Sequence, residues 1–289
     1  MNSPAGPAAA VGWLETYRGT VFRWEVDPND HLTVAYYFTR IADAGARLLA
    51  VVGLTAAAAR TADCFVRYQR ELRAGDIIHM ESGVIAVELD ALVLGHKLLD
   101  SGAGVLCTTV EQRVRLAAPL TAETRRAVEA VRVGWHGPAR ERRPTPDGIA
   151  GFRDSARDMV KPAEVDVSGG AALSHYIHRF SAANGHAIAA FGMTPAYMRA
   201  EHRGFSTFEF QLELGSPLRP GDGVRVRSGL RHVGNSSLRL LHVMTREPGD
   251  EVVATLEQSG VHFDQDARRP APLPEALRAR ARALLVKEA

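Results

Sequence analysis

The chain has 289 residues, of which 46% are hydrophobic and 24% charged, and its formal net charge is +2. This is the composition of an ordinary globular protein with room for two domains, and the small charge argues against a nucleic-acid or membrane surface. No stretch approaches the ~18 apolar residues of a membrane span and the start lacks a signal-peptide pattern, so we expect a cytoplasmic protein.

The first half predicts a strand, a helix and four further strands. Residues 16–24 alternate like a strand, and 27–31 have the Asx and proline chemistry of a turn. From 34 to 52 apolar residues recur at helical spacing, and Gly53 is placed as the C-cap. The four strands are predicted at 63–72, 77–88, 91–99 and 104–116.

The middle of the chain predicts a boundary. Residues 134–165 are rich in Arg, Pro and Gly, and we interpret them as a solvated linker between an N-terminal domain, 1–133, and a C-terminal domain, 166–289. In the second half we predict a helix near 172–191, strands near 205–215, 223–233, 237–246 and 251–264, and a surface helix over 274–287.

The second half repeats the first. Matching residues 146 positions apart include Leu72 and Leu218, Asp76 and Asp222, and His96 and His242; those 139 apart include Asp27 and Asp166, Tyr37 and Tyr176, and Gly53 and Gly192. The change of spacing puts seven extra residues in the second copy between Thr194 and Glu209. Solenoid units run ~20–50 residues, so this repeat is a whole small domain, duplicated. Each copy predicts an α+β unit with an antiparallel sheet and one long buried helix.

The chemical signal lies just before the first helix, in Asp27-Pro28-Asn29-Asp30-His31. A helix start leaves free backbone N–H groups and a partial positive charge, which can hold a carbonyl oxygen as it becomes an oxyanion. A carboxylate beside them can attack the carbonyl or activate water. Asp and Asn are also ordinary N-cap residues, worth ~0.5–2 kcal/mol, and residue types alone favour that structural interpretation.

This segment resembles the active-site segment of hotdog thioesterases, and its Asp-x-Asn-x-His spacing is similar to that of the plant acyl-carrier-protein thioesterases, which are double hotdogs. The resemblance implies a double hotdog fold for this chain and catalytic roles for Asp27, Asn29 and His31. Tyr68-Gln69-Arg70-Glu71-Leu72 is similar to the family's Tyr-Arg-Arg-Glu segment, which implies a catalytic role for Glu71.

The chain also departs from that family. Asp30 stands where the family often has Gly or Gln, and Thr33-Val34 stands where an Asn pair is common.

The resemblance implies hydrolysis of an acyl thioester, most readily acyl-CoA, to free acid and thiol, with Asp27 as base or nucleophile and no cofactor or metal. An acyl-carrier-protein substrate stays open, as do a hotdog dehydratase or hydratase of 3-hydroxyacyl or enoyl thioesters and a non-catalytic acyl-thioester binding protein. We expect a pseudo-dimer within one chain, with further homo-oligomerisation open. The expected substrate-binding residues are Thr33, Val34, Ala35, Tyr36 and Arg73, and the candidates for CoA phosphates are Arg70, Arg73 and Arg113.

The second copy keeps Asp166 but has Ser168 and Gly170 at the Asn and His positions, so we expect one competent site per chain. Asn184 and His186 are candidates to face that site, although a structural role is the simpler interpretation. The paired His96 and His242 have no nearby ligand set and are interpreted as structural rather than metal-binding. Cys64 and Cys107 are expected to be buried free thiols.

Overall fold

The computed structural model describes residues 12–141, 143 and 148–286. The start of the predicted N-terminal domain, residues 1–11, and the end of the predicted C-terminal domain, residues 287–289, lie outside the described residues. Within this range the chain forms two consecutive units, each an antiparallel sheet with one long helix against it.

The N-terminal unit contains two helices and five strands. Its elements are β1 (Leu14–Thr20), α1 (Val34–Val51), β2 (Ala59–Tyr68), β3 (Ile77–Val87), β4 (Ala91–Asp100), β5 (Val105–Leu116) and α2 (Ala122–Ala130).

The C-terminal unit repeats this order and adds to it. Its elements are β6 (Arg153–Met159), α3 (Leu173–Ala189), α4 (Pro195–Ala200), β7 (Arg203–Leu214), β8 (Gly223–Val233), β9 (Ser237–Glu247), β10 (Glu251–Asp264), β11 (Arg269–Pro270) and α5 (Glu275–Ala283).

The strands of both units form one continuous sheet in the order β1-β3-β4-β5-β2-β7-β10-β9-β8-β6, with β11 beside β10. The two units join at the centre, where β2 and β7 pair antiparallel with Val66 opposite Phe210. The ladder between β3 and β4 shifts register at Val84, and the ladder between β8 and β9 shifts at Leu230, 146 residues later. A bulge bends a sheet, so both halves curl at the same place. This arrangement confirms the predicted double hotdog.

The helix α1 begins and ends where its sequence requires. Gly53 takes φ 79°, which suits glycine, and its N–H and that of Leu54 donate to the carbonyls of Ala50 (3.1 Å) and Leu49 (2.9 Å). These two bonds satisfy the last carbonyls of the helix in a Schellman cap. The predicted C-cap is therefore confirmed.

The two long helices bury their apolar faces in a shared core. Phe38 of α1 and Phe180 of α3 are fully buried in one continuous cluster, and the ring of Phe38 lies 6.2 Å from that of Phe210 across the central strand pair. Replacing a buried Phe by Ala typically costs about 3–5 kcal/mol. The core therefore holds the two units in a fixed relation, and the cavities between them are shaped by both.

The structure differs from the sequence predictions between the two units. Within the predicted linker 134–165, residues Arg153–Met159 form β6, which pairs with β8 at the edge of the sheet. The strand escaped prediction because only Ser155 is buried in it, so its sequence lacks the apolar alternation of a strand. The linker is also less solvated than expected, since Arg143 donates to Glu209 (2.8 Å) with only 18% of its side chain exposed. The predicted seven-residue insertion contains α4.

Both cysteines are buried and free, as predicted. His96 is fully buried, with its Nδ1 2.6 Å from Ser82 Oγ and its Nε2 3.0 Å from Gln112 Oε1, and His242 is buried beside Ser228 in the same way. These contacts make both histidines structural. In the described ranges, no helix is both long and apolar enough to cross a membrane.

Candidate active site

The loop before α1 holds Asp27 rigidly. The carboxylate Oδ1 of Asp27 accepts hydrogen bonds from the backbone N–H groups of Asn29 (2.8 Å) and His31 (3.1 Å), and the Asp27 N–H donates to the carbonyl of His31 (2.8 Å). The loop closes through Asp30, which takes φ 61°, a conformation that Asp tolerates better than most residues. Asp30 turns its side chain outward to Arg23 (2.6 Å). Asp27 is therefore fixed by its own loop.

Asn29 orients Asp27 from the side. Its Nδ2 donates to Asp27 Oδ2 (3.2 Å), and its Oδ1 accepts from Gln265 Nε2 of the C-terminal unit (2.6 Å). Gly204 allows this approach, because a Cβ at that position would lie 2.3 Å from Asn29 Oδ1. Both ends of the Asn29 amide are thus engaged by the protein, and Asn29 holds the Asp27 carboxylate in place.

His31 and Glu71 form the second part of the site. His31 Nε2 lies 3.0 Å from Glu71 Oε1, and the guanidinium of Arg268, from the C-terminal unit, contacts both side chains. Arg268 Nε donates to Glu71 Oε2 at 3.1 Å, and Arg73 lies 3.5 Å from the same oxygen. The His31 ring also packs edge-on against Phe263, with centroids 5.7 Å apart. Residues from both units therefore build this cluster.

The charge of His31 is set by opposing influences. Burial lowers the pKa of His31 below its ordinary value, the carboxylates of Glu71 and Asp27 oppose that shift, and the guanidiniums of Arg268 and Arg73 add to it. The net direction is downward, which favours a neutral imidazole at neutral pH. A neutral imidazole whose Nε2 lies between a carboxylate and a guanidinium can either donate to the first or accept from the second, and it can take up a proton.

The start of α1 supplies free backbone donors. The N–H of Thr33 donates to the carbonyl of Glu25 (2.8 Å), whereas the N–H groups of Val34 and Ala35 have no acceptor in the described part of the chain. Glu25 is itself fixed by a buried ion pair with Arg40 (2.7 Å). The expected oxyanion donors of 33–35 therefore reduce to the amides of Val34 and Ala35, which carry the partial positive charge of a helix start.

A cavity of about 360 Å³ joins these parts. Its wall includes Asp27, His31, Thr33, Val34 and Glu71 from the N-terminal unit. From the C-terminal unit, Ser181 and Asn184 of α3 face the same space, together with parts of β7 and β10. The cavity is at the small end of the ~300–1,000 Å³ range for ligand pockets.

Of the other predicted residues, only Arg70 lies in the wall of this cavity. Ala35 is fully buried, the ring of Tyr36 packs edge-on against His178 (5.7 Å), and Arg73 reaches Glu71 from outside. Arg113 is on β5, where it donates a hydrogen bond to Glu88 (2.7 Å), and it lies away from this site.

Comparison with known proteins identifies the family. A family model for the thioesterase-like superfamily matches residues 21–130 and 160–281. The chain belongs to the thioesterase-like superfamily. Curated protein sequences yield no match.

Solved structures show the same fold in other members of the wider group. The chain is similar to an acyl-ACP thioesterase from Bacteroides thetaiotaomicron VPI-5482, with 11% identity and a TM-score of 0.64, over 85% of this chain and 96% of that one. It is also similar to the 12:0-ACP thioesterase from Umbellularia californica, with 12% identity and a TM-score of 0.63, over 86% of this chain and 94% of that one. At such identities the likeness establishes the fold alone.

The sequence analysis of this thioesterase-like chain did not predict two residues of the site. Gln265 and Arg268 lie in the connection between β10 and β11, which folds over the Asp27 loop. Their counterparts 146 residues earlier are Pro119 and Ala122, so the internal repeat carried no signal for them.

The C-terminal unit of this thioesterase-like protein has a related cavity, which lies at the other end of the pair of helices α1 and α3. Asp166 keeps its loop, because its Oδ1 accepts from the Ser168 N–H (2.8 Å) and its own N–H donates to the Gly170 carbonyl (2.9 Å). The positions of His31 and Glu71 are taken by Gly170 and Pro217, and both line this second cavity of about 710 Å³. The second copy thus has the carboxylate without the imidazole and its acidic partner.

Metal chemistry finds no support in the described residues, which contain no group of three or more His, Cys, Asp or Glu side chains placed to hold an ion. Asn184 faces the first cavity, whereas His186 lines a separate cavity between α3 and β8. Of the two second-copy candidates, only Asn184 is therefore near Asp27.

Proposed function

We propose that the protein hydrolyses an acyl thioester, with acyl-CoA as the preferred carrier, at the cavity that contains Asp27. The observation that carries this proposal is the meeting of three features at one small cavity. These are the fixed carboxylate of Asp27, the His31–Glu71 pair, and the free N–H groups at the start of α1. Membership of the thioesterase-like superfamily supports the same reaction class.

The chemistry follows from this geometry. The thioester carbonyl oxygen accepts a hydrogen bond from the amide of Val34 at the start of α1, which stabilises the negative charge that develops during attack. A water molecule attacks the carbonyl carbon and gives its proton to Asp27 or to neutral His31. The tetrahedral intermediate collapses, the C–S bond breaks with its electron pair on sulfur, and the thiolate takes up a proton.

A covalent route uses the same residues. Asp27 attacks the carbonyl carbon, the thiolate leaves, and water then hydrolyses the mixed anhydride and returns the free carboxylate. Asp27 Oδ2 has one protein partner, the Asn29 amide at 3.2 Å, while Oδ1 has two. Oδ2 is therefore the oxygen that is more available to act as general base or as nucleophile.

The carrier is proposed from charge near the cavity. Arg70 lines the cavity and Arg73 lies beside Glu71, so two guanidiniums near the site are available to the phosphates of CoA. Arg113 is withdrawn from this role because it is paired with Glu88 elsewhere.

The test uses a matched pair of variants. Asp27→Asn and Asp166→Asn change equivalent carboxylates in equivalent loops, so they perturb folding alike. We expect Asp27→Asn to lower kcat/KM for thiol release from acyl-CoA esters by about 10²–10⁴-fold, the usual worth of a general base. The Asp166→Asn protein should keep the parental value.

Three outcomes would contradict the proposal. Full activity in Asp27→Asn would remove Asp27 from the mechanism. Conversion of crotonyl-CoA without thiol release would indicate a hydratase. Binding of CoA esters with no turnover of any kind would indicate a binding protein.

A further inference from the structure

The helix α3 presents two polar side chains to the active-site cavity that have no hydrogen-bond partner. The Oγ of Ser181 and the Oδ1 of Asn184 are buried, line the cavity, and bond to nothing in the described part of the chain. The hydroxyl of Tyr68, from β2, lines the same cavity and is in the same state. A buried polar atom left unpaired costs about 1–3 kcal/mol, so three in one cavity call for a partner that the protein itself does not supply.

One other polar pair in this wall is already satisfied. Gln258 Nε2 donates to Thr207 Oγ1 at 2.7 Å, and the equivalent bond joins Gln112 and Thr61 at 2.8 Å in the other unit. This pair is part of the shared scaffold of the two copies. The unpaired groups are therefore a separate feature of the wall.

The internal repeat shows that the three polar groups belong to one cavity. Their counterparts are Ala42 for Ser181, Gly45 for Asn184 and Leu214 for Tyr68, and all three of these line the second cavity. A Cβ at Gly45 would lie 2.6 Å from Gln112 Oε1, so a side chain there would require Gln112 to move. The same structural positions are thus polar beside Asp27 and small or apolar beside Asp166.

We propose that the acyl group of the substrate is short and carries a hydroxyl group, which donates to Asn184 Oδ1 and hydrogen-bonds to the hydroxyl groups of Ser181 and Tyr68. The small cavity volume of about 360 Å³ limits the length of the acyl group, because the same space admits the thioester itself. A saturated hydrocarbon chain would bury all three polar atoms unpaired. This inference rests on the proposed function and names its substrate class.

The test compares substrates that differ by one polar group. Thiol release is measured for 2- and 3-hydroxyacyl-CoA esters of four carbons and for the isosteric methyl-branched esters, in which CH₃ replaces OH. We expect kcat/KM for at least one hydroxyacyl ester to exceed that of its methyl isostere by roughly 10- to 100-fold, as for sites that bind a substrate hydroxyl.

Variants then connect the preference to these side chains. Asn184→Leu should remove most of the hydroxyl preference, measured as the ratio of kcat/KM for each hydroxyacyl ester to that of its methyl-branched isostere. Ser181→Ala should reduce the preference less, and it offers a milder change if Asn184→Leu fails to fold. Ala42→Ser, which places a hydroxyl in the second cavity, is the matched control and should leave the ratio unchanged.

The outcomes separate this inference from the function beneath it. Hydrolysis of methyl-branched or long saturated esters at rates equal to the hydroxyacyl esters overturns the inference and leaves the proposed function standing. A preference that survives both Asn184→Leu and Ser181→Ala also overturns it. Release of no thiol from any ester in either series overturns both.

Discussion

Arg268 offers the sharpest test of how the two units build one site. It reaches from the β10–β11 connection to contact Glu71 through two nitrogens and His31 through one. Replacing Arg268 by Ala leaves Glu71 with His31 at 3.0 Å and Arg73 at 3.5 Å. The Glu71 carboxylate then loses its closest guanidinium, that of Arg268, and keeps only the more distant guanidinium of Arg73.

The size of the effect follows from these contacts. A hydrogen bond to a charged group is worth about 1.5–3 kcal/mol, and several are lost. Solvent screens part of this, because 31% of the Arg268 side chain and 29% of the Glu71 side chain are exposed. A net loss of about 1.5–3 kcal/mol in transition-state stabilisation corresponds to a roughly 10- to 150-fold lower kcat/KM.

The pH profile gives an independent readout. Arg268 contributes to lowering the pKa of His31, while Glu71 and Asp27 act in the opposite direction. Without Arg268 the pKa of His31 should rise, so the acidic limb of the profile of kcat/KM should move to higher pH. A loss of packing alone would lower kcat/KM without moving that limb.

The experiment is thiol release from the preferred acyl-CoA ester between pH 5 and 9. Arg268→Lys retains the positive charge but lacks the planar guanidinium with its several N–H donors. Its kcat/KM should therefore lie between those of the parent and of Arg268→Ala. Arg269→Ala removes a neighbouring exposed arginine and is the matched control. An Arg268→Ala protein with the parental kcat/KM and an unmoved acidic limb would refute this reasoning.

Three further predictions concern stability and the supports of the site. Burial lowers the pKa of His96 and of His242 to about 4, so the unfolded state binds more protons below pH 6.5 and stability falls as pH drops toward 4. The loss should reach about 2 kcal/mol per histidine at pH 5 in urea unfolding, and a flat profile from pH 6.5 to 5 would contradict it. Gly204→Ala should displace Asn29, lowering kcat/KM more than it lowers Tm, whereas an equal loss of both would point to general damage. Phe38→Ala should lower the free energy of unfolding by about 3–5 kcal/mol, and a loss under 1 kcal/mol would mean that the core is not continuous across the units.

The duplicated architecture could be predicted from local signals in the sequence. The helix α1 has an apolar pattern, a glycine that must take positive φ at its end, and a copy of both 139 residues later. Period and turn chemistry are local properties, so the order of elements followed from them. The edge strand β6 could not be predicted in this way, because it buries almost none of its side chains and therefore has no apolar pattern.

The site was predictable only in part, for a physical reason. Asp27 and His31 are close in sequence and sit at a helix start, where their chemistry has a recognisable local pattern. Arg268 reaches Glu71 across 197 positions, and Gln265 reaches Asn29 across 236. Such contacts depend on how two folded units meet, and neither residue has a counterpart in the repeat that could draw attention to it.

The joining of both units in one chain has an evolutionary consequence. In a homodimer each substitution appears twice, so one position could not be glycine in one protomer and asparagine in the other. Gly45 and Asn184 occupy that one position here: a side chain in the first copy would displace Gln112, whereas the asparagine of the second copy lines the cavity that contains Asp27. Covalent fusion lifts this constraint, and it leaves each half of the molecule free to specialise by itself.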